Sequence, residues 1–309
     1  MASIVLDGEG TETLPYLCHS YEELRAIADN IKDELGAKGT YYARLENDID
    51  CKAMYGNSFE WEGVELYYSE SNVILDLNNK TIKNAMISNQ GCLFKVKRCI
   101  RGGVGYSTEL KNGNILNIFN NNGKAVVYVD STITNYISCI IDNVSFSCEG
   151  TGLTDGGFMK VQCTNCSFYY KAANVASNFH IFVTSNNQFD FRNCDFWFDI
   201  SCKSKSSSFE PFKNGYKQRN LIDGCRIRGE VKNSYVMLVG LSNSVVNLKF
   251  DTTGQYNSTI IDLCDGIINT DIITGPDWLN NNMIKVSTAE IESKDENVLS
   301  SKGFVVVKE

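Results

Sequence analysis

Along most of the chain, apolar residues alternate with polar residues in short runs that end at Asn, Asp or Gly. An alternation of this kind predicts β-strands with one buried face, and Asn, Asp and Gly are residues that turns favour. The chain contains 33 Asn but only 3 Pro, so we expect turns built on Asn to separate most of the strands. The pattern predicts an all-β protein.

One segment near the N-terminus has a helical period instead. Ser20 and Glu23 have the spacing of a capping box, and Gly36 is placed to end a helix. Apolar residues recur on one face of this segment, at Leu24, Ile27, Ala28, Ile31 and Leu35. We therefore predict a helix over residues 21–35 whose apolar face covers part of the β-structure.

A six-residue unit recurs along the strands: an apolar residue, any residue, Asn or Gly, two further residues and a second apolar residue. Its clearest copies have the central Asn or Gly at positions 79, 112, 143, 165, 193 and 224, which gives steps of 33, 31, 22, 28 and 31 residues. Such steps are typical of the coils of a solenoid. Asn and Gly tolerate a left-handed backbone bend, so each copy predicts a bend between two strands of a parallel β-solenoid. Stacked asparagines at that bend are expected to pair their amides between coils.

On these repeats the chain resembles the right-handed parallel β-helix of pectate-lyase-like proteins, a fold also found in phage tailspikes and appendages. The resemblance covers residues 64–285. Residues 1–63, with the helix and the first strands, are then expected to cap one end. Residues 286–309, with a short charged helix and a final strand, are expected to cap the other, because the open ends of a solenoid expose unpaired strand edges.

Four consecutive copies of the unit predict a register. One and three residues after the central position, the side chains are expected to point inward: Val144, Cys166, Cys194 and Cys225, and Phe146, Phe168, Phe196 and Ile227. The alternate positions are expected to point outward: Ser145, Ser167, Asp195 and Arg226, and Ser147, Tyr169, Trp197 and Arg228.

The outward positions supply the candidate functional residues Tyr169, Trp197, Arg226 and Arg228. A row of large exposed aromatic side chains is typical of a binding surface. Three interpretations stay open. The rings stack on sugars, they are buried between subunits of an oligomer, or a long segment such as residues 203–216 folds over them.

An enzymatic alternative depends on carboxylates. A polysaccharide hydrolase needs two close acidic groups, and a lyase needs a basic residue beside acidic ones. Asp195 and Asp199 are the candidates, although an ion pair between Asp195 and Arg226 on neighbouring coils explains Asp195 without catalysis. The chain lacks the ordered motifs of polygalacturonase-like enzymes, so no catalytic residue is predicted outside this alternative.

Charge and composition argue against a nucleic-acid-binding protein, a protein with a membrane-spanning helix and a metalloprotein. The formal net charge of −8 and the absence of a basic stripe argue against nucleic acid as a partner. No apolar run reaches the roughly 18 residues of a membrane-spanning helix, and the first ten residues do not resemble a signal peptide. The 12 cysteines are therefore expected to be reduced, and the Cys163–Cys166 pair lacks the second pair that zinc requires, so we predict no metal and no cofactor.

The resemblance implies a structural and adhesive protein of a virion or phage-tail-like particle, made in a bacterial cytoplasm. It implies a homotrimer that contacts other particle proteins and binds a host surface polysaccharide. The alternative is a polysaccharide-degrading lyase or glycoside hydrolase on the same scaffold.

Overall fold

The structure is a computed structural model. It describes residues 4–33, 39–57, 59–66, 71–88, 91–96, 100–101, 104–105, 107–121, 125–129, 139–151, 158–159, 161–175, 178–184, 190–203, 207–209, 211–214, 221–232, 234–250, 260–269 and 284–286. In these residues the chain forms two helices, α1 (Tyr21–Asp33) and α2 (Cys51–Tyr55), and a long succession of short strands.

The strands are β1 (Tyr16–Cys18), β2 (Gly39–Leu45), β3 (Ile49–Asp50), β4 (Val64–Glu65), β5 (Ser71–Asp76), β6 (Thr81–Lys83), β7 (Met86–Ser88), β8 (Cys92–Val96), β9 (Ile100–Arg101), β10 (Val104–Gly105), β11 (Thr108–Asn121), β12 (Ala125–Val129), β13 (Cys139–Thr151), β14 (Phe158–Met159), β15 (Val161–Thr164), β16 (Ser167–Val175), β17 (Asn178–Phe179), β18 (Phe182–Thr184), β19 (Asp190–Arg192), β20 (Asp195–Cys202), β21 (Ser207–Phe209), β22 (Phe212–Asn214), β23 (Leu221–Asp223), β24 (Arg226–Lys232), β25 (Ser234–Phe250), β26 (Ile260–Asn269) and β27 (Ile284–Val286).

The strands stack in parallel, so the predicted all-β parallel solenoid is confirmed. In the larger sheet, β11, β13, β16, β20, β24 and β25 pair in that order. A second sheet contains β4, β8, β12, β14, β18 and β22, again paired in chain order. Each coil of the solenoid therefore adds a strand to both sheets, and the core lies between the two sheets.

The predicted register is confirmed. Phe146, Phe168, Phe196 and Ile227 are directly opposite one another on successive strands, and all four are buried. The rings of Phe146 and Phe168 are stacked with centroids 5.1 Å apart, and those of Phe168 and Phe196 with centroids 5.2 Å apart. The inward column of Val144, Cys166, Cys194 and Cys225 is buried as well.

The asparagine bends explain why the chain turns at a fixed point of each coil. Asn79, Asn112, Asn143, Asn165, Asn193 and Gly224 all have a positive φ, between 53° and 61°. The Asn143 amide donates to Asn112 Oδ1 at 3.3 Å, and the Asn193 amide donates to Asn165 Oδ1 at 3.5 Å. Asn165 instead donates to Asp142 at 3.3 Å, so the amide ladder is interrupted there.

Helix α1 covers the N-terminal end of the core. Leu24, Ile27, Ala28 and Ile31 are buried as predicted, and the Glu23 N–H donates to Ser20 Oγ at 3.2 Å. The helix is observed to Asp33, and its predicted extension to Leu35 lies outside the described residues.

The solenoid sheet also extends into residues 1–63, because β1 pairs with β2 and β2 pairs with β5 in parallel. The Leu17 N–H donates to the Asp7 carbonyl at 2.9 Å, which occupies part of the exposed edge of β1. Residues 287–309, which include nearly all of the predicted C-terminal cap, lie outside the described residues.

Candidate functional site

Three adjacent strands present the predicted outward residues on one face of the larger sheet. Tyr169 on β16 is opposite Trp197 on β20, which is opposite Arg228 on β24. Their neighbours along each strand, such as Phe168 and Phe196, point into the core, so the strict alternation of a strand forces these three side chains outward. We call Tyr169, Trp197 and Arg228 the outer aromatic row.

The outer aromatic row is an accessible surface of two neighbouring rings and a guanidinium group. Tyr169 and Trp197 are each 41% exposed, among the larger exposures of an aromatic side chain in the described residues. Their ring centroids are 6.1 Å apart, with a 45° angle between the planes. The Arg228 guanidinium carbon lies 4.8 Å from the centre of the Trp197 ring, a cation–π distance.

Asp195 fixes the positions of the two arginines. Its carboxylate accepts hydrogen bonds from Arg226 Nε at 3.2 Å and Arg226 Nη2 at 2.8 Å, and from Arg228 Nη2 at 2.6 Å. Such partly exposed ion pairs add little to stability, about 1 kcal/mol or less each. Here they hold Arg228 against Trp197. The two guanidinium groups and the Asp195 carboxylate together carry a net charge of +1.

A groove of about 420 Å³ lies beside the outer aromatic row, and we call it the aromatic groove. Its floor includes Ser145, Ser147 and Ser167, and the hydroxyl of Ser167 donates to that of Ser145 at 2.9 Å. These small residues leave a depression next to the tall rings of Tyr169 and Trp197.

The opposite wall of the aromatic groove is formed by a β-bulge. The pairing of β11 with β13 shifts register between Ile115 and Ile118, where the two residues Leu116 and Asn117 face the single residue Ser147, so β11 has one extra residue there. Asn117 has a φ of 53°, in the left-handed region, and it is exposed. Leu116 and Asn117 both line the groove, which therefore combines hydroxyl, amide, aromatic and cationic groups.

The two carboxylates of the enzymatic alternative, Asp195 and Asp199, lie on one strand. They are four residues apart, which places their α-carbons about 13 Å from each other at the usual rise of a strand. Glycoside hydrolases hold their two carboxyl groups about 5–5.5 Å or 6.5–9.5 Å apart. Asp195 also forms the ion pair with Arg226 that the non-catalytic explanation predicted, and it forms a second ion pair with Arg228.

The described part of residues 203–216 does not cover the outer aromatic row. It contributes β21 and β22 to the sheets, and the rings of Phe209 and Phe212 are buried in the core. The interpretation in which this segment folds over Tyr169 and Trp197 is wrong for these residues, because their apolar side chains complete the coil instead.

The cysteines with described side chains are core residues. All ten are buried and unbridged: Cys18, Cys51, Cys92, Cys139, Cys148, Cys163, Cys166, Cys194, Cys202 and Cys225. Burial raises the pKa of Cys18, Cys51 and Cys148 to about 12, so these thiols are protonated at neutral pH. Among the described residues, no three His, Cys, Asp or Glu side chains are grouped to hold a metal ion.

Sequence reasoning found the outer aromatic row but missed the groove beside it. Leu116 and Asn117 precede the four copies that set the register. Leu116 follows the buried Ile115 and is outward by alternation, whereas the outward position of Asn117 depends on the bulge. The serines Ser145, Ser147 and Ser167 were placed outward correctly, yet nothing in the sequence marked their small size as a feature of a site.

Comparisons with known proteins support the fold. No protein-family model matches the chain, and no curated protein matches it. A crystal structure from Bacteroides ovatus, described as a "putative immunoglobulin A1 protease", is similar over 93% of this chain and 88% of its own, with a TM-score of 0.53 and 12% sequence identity. At that identity the likeness concerns the fold alone. None of the helices in the described residues has the length and apolar character needed to cross a membrane.

Proposed function

We propose that this chain is a non-enzymatic adhesive protein that binds glycans through the outer aromatic row. The observation that carries the proposal is the exposure of Tyr169 and Trp197 beside a groove with polar groups. Aromatic faces pack on the apolar faces of sugar rings, while hydroxyl, amide and guanidinium groups bond the hydroxyls of the sugar. The aromatic groove supplies all four kinds of group within one surface.

The position of the row on the sheet supports recognition rather than catalysis. The rings project from strands that are paired on both sides, and the Trp197 ring contacts both Tyr169 and Arg228, so the surface is largely formed before a ligand binds. The α-carbons of the acidic candidates Asp195 and Asp199 are about 13 Å apart, and Asp195 is paired with two arginines, which favours binding over hydrolysis by a pair of carboxyl groups. Asp195 acts instead as a positioning residue for Arg228.

A glycan array with the wild-type chain and two variants tests the proposal. We expect Trp197→Ala to weaken binding about tenfold, because the stacking face is lost. Ile140→Ala is the matched control, since Ile140 is an apolar residue on β13 with 36% exposure that does not line the groove. Binding that is unchanged in Trp197→Ala, or absent from the wild type, would contradict the proposal.

We further propose that the protein belongs to a virion or phage-tail-like particle and forms a homotrimer, as the resemblance to phage appendages implies. The mass in solution under reducing conditions, measured by light scattering, tests this part. A trimer has three times the mass of the 34.5 kDa chain. If Trp197→Ala dissociates an oligomer without affecting glycan binding, the row is a subunit interface and the glycan proposal is wrong.

A further inference from the structure

A second groove lies on the same side of the solenoid as the aromatic groove. It measures about 240 Å³, and we call it the helix-side groove because α2 contributes to it. Its lining includes Lys52, Phe59, Asn84, Met86, Asn117 and Phe119. Phe119 is 39% exposed, close to the exposure of Tyr169 and Trp197. The helix-side groove thus repeats the combination of an accessible ring with amide groups.

The two grooves meet at one residue. Asn117, on the bulge of β11, lines both of them. Its side-chain amide donates to Asn84 Oδ1 at 3.4 Å, which links it to the wall of the helix-side groove. The two grooves are therefore adjacent at the bulge, and the group that they share there is the polar side chain of Asn117.

The register gives the length of the combined path. Met86 is opposite Phe119, and from Phe119 the path passes over β13 and β16 to Trp197 on β20 and Arg228 on β24. At the usual strand separation of about 4.8 Å, the five steps from β7 to β24 span about 24 Å. The path is slightly oblique, because Phe119 is opposite Glu149 rather than Ser147.

A peptide is a poor occupant for this path. Peptides that lie along sheets take hydrogen bonds from a free strand edge. Here β11, β13, β16 and β20 each pair with a strand on both sides, so their backbone groups are already used. The groups that remain available are side-chain amides, hydroxyls and aromatic rings. They suit a ligand that carries many hydroxyl groups and does not need hydrogen bonds to a strand edge.

We infer that the chain binds a linear glycan that occupies the aromatic groove and the helix-side groove at the same time, with Asn117 in contact at the crossing. This inference rests on the proposed glycan-binding function. Two linked contact sites make the second contact intramolecular, so affinity rises steeply once the glycan is long enough to reach both. A disaccharide fills one groove, and a longer chain fills two.

The test is a length series. Fluorescently labelled fragments of cellulose, chitin, dextran, hyaluronan and polygalacturonate, from disaccharide to decasaccharide, are titrated into the wild type, Phe119→Ala and Trp197→Ala. For the polysaccharide that binds, we expect the octasaccharide to bind about tenfold or more tightly than the disaccharide. Phe119→Ala should weaken octasaccharide binding about fivefold and leave disaccharide binding at Trp197 unchanged. Trp197→Ala should weaken both.

Met54→Ala is the control, because Met54 is 46% exposed on α2 and does not line the helix-side groove. Affinity that is independent of length, with Phe119→Ala equal to the wild type while Trp197→Ala still weakens binding, would overturn the inference and leave the proposed function standing. Failure of every fragment to bind the wild type would overturn both.

Discussion

Replacing two adjacent residues of β20 tests the register on which the candidate site depends. Phe196 is fully buried, and Trp197, the next residue, is 41% exposed. Phe196 stacks on Phe168 and meets the rings of Phe182 and Phe212 edge-on, at 5.5 Å and 5.0 Å between centroids. Removing its ring therefore leaves a cavity between two sheets.

The structure sets the size of the expected effect. Phe→Ala changes in cores cost about 3–5 kcal/mol, and the larger values occur where the surroundings cannot collapse into the cavity. Phe196 lies between strands that are fixed by hydrogen bonds on both sides, so we expect Phe196→Ala to lower the free energy of unfolding by about 4–5 kcal/mol. Trp197→Ala removes a larger side chain from the surface and should cost about 1 kcal/mol or less.

Urea unfolding followed by circular dichroism measures both variants. The shift of the midpoint, taken with an unchanged slope, gives the loss of stability. Equal losses for the two variants, or a greater loss for Trp197→Ala, would refute the inward and outward assignment of this strand, and the outer aromatic row would no longer be a surface.

Three further predictions follow from burial, charge and backbone conformation. In the folded protein, iodoacetamide at pH 8 should modify no more than two of the 12 cysteines, because ten are buried; mass spectrometry that finds Cys194 modified without denaturant would contradict this. The hydrogen bond from Asn84, with that from the Ala53 N–H, lowers the pKa of Asp50. The stability that the Asp50 charge adds is therefore present above the ordinary pKa of about 3.9 and is lost as the pH falls through the lower folded value, so the deficit of Asp50→Asn in thermal melts should shrink below about pH 4. Gly229 has a φ of 121°, and an added Cβ would lie 2.0 Å from the Phe198 carbonyl oxygen, so Gly229→Ala should cost about 2 kcal/mol or more; Gly39→Ala, with a φ of 104° but open space, is the control and should cost less.

Most of the fold could be predicted from the repeated Asn or Gly bend. An Asn or Gly at 79, 112, 143, 165, 193 and 224 fixes the phase of each coil, and strand alternation then assigns inward and outward positions. This is why Tyr169, Trp197 and Arg228 could be aligned across three strands before any contact was known.

The groove could not be predicted in the same way. The bulge at Leu116 and Asn117 becomes visible only through the pairing of β11 with β13, because a single inserted residue has no signature of its own. Helix α2 escaped prediction as well: it has five residues, and its N-cap Asp50 sits within a strand-like pattern. Short elements of this kind are fixed by tertiary contacts more than by propensity.

Tryptophan fluorescence during a glycan titration tests the central claim most directly, because the Trp197→Phe variant separates the signal of Trp197 from those of Trp61 and Trp278. Trp61 is buried, with its indole N–H bonded to the Leu93 carbonyl at 2.8 Å, whereas Trp197 is open to a ligand. With an octasaccharide that binds the wild type, we predict a shift in emission that Trp197→Phe abolishes. An identical shift in both proteins would contradict the claim that the outer aromatic row is the glycan-binding surface.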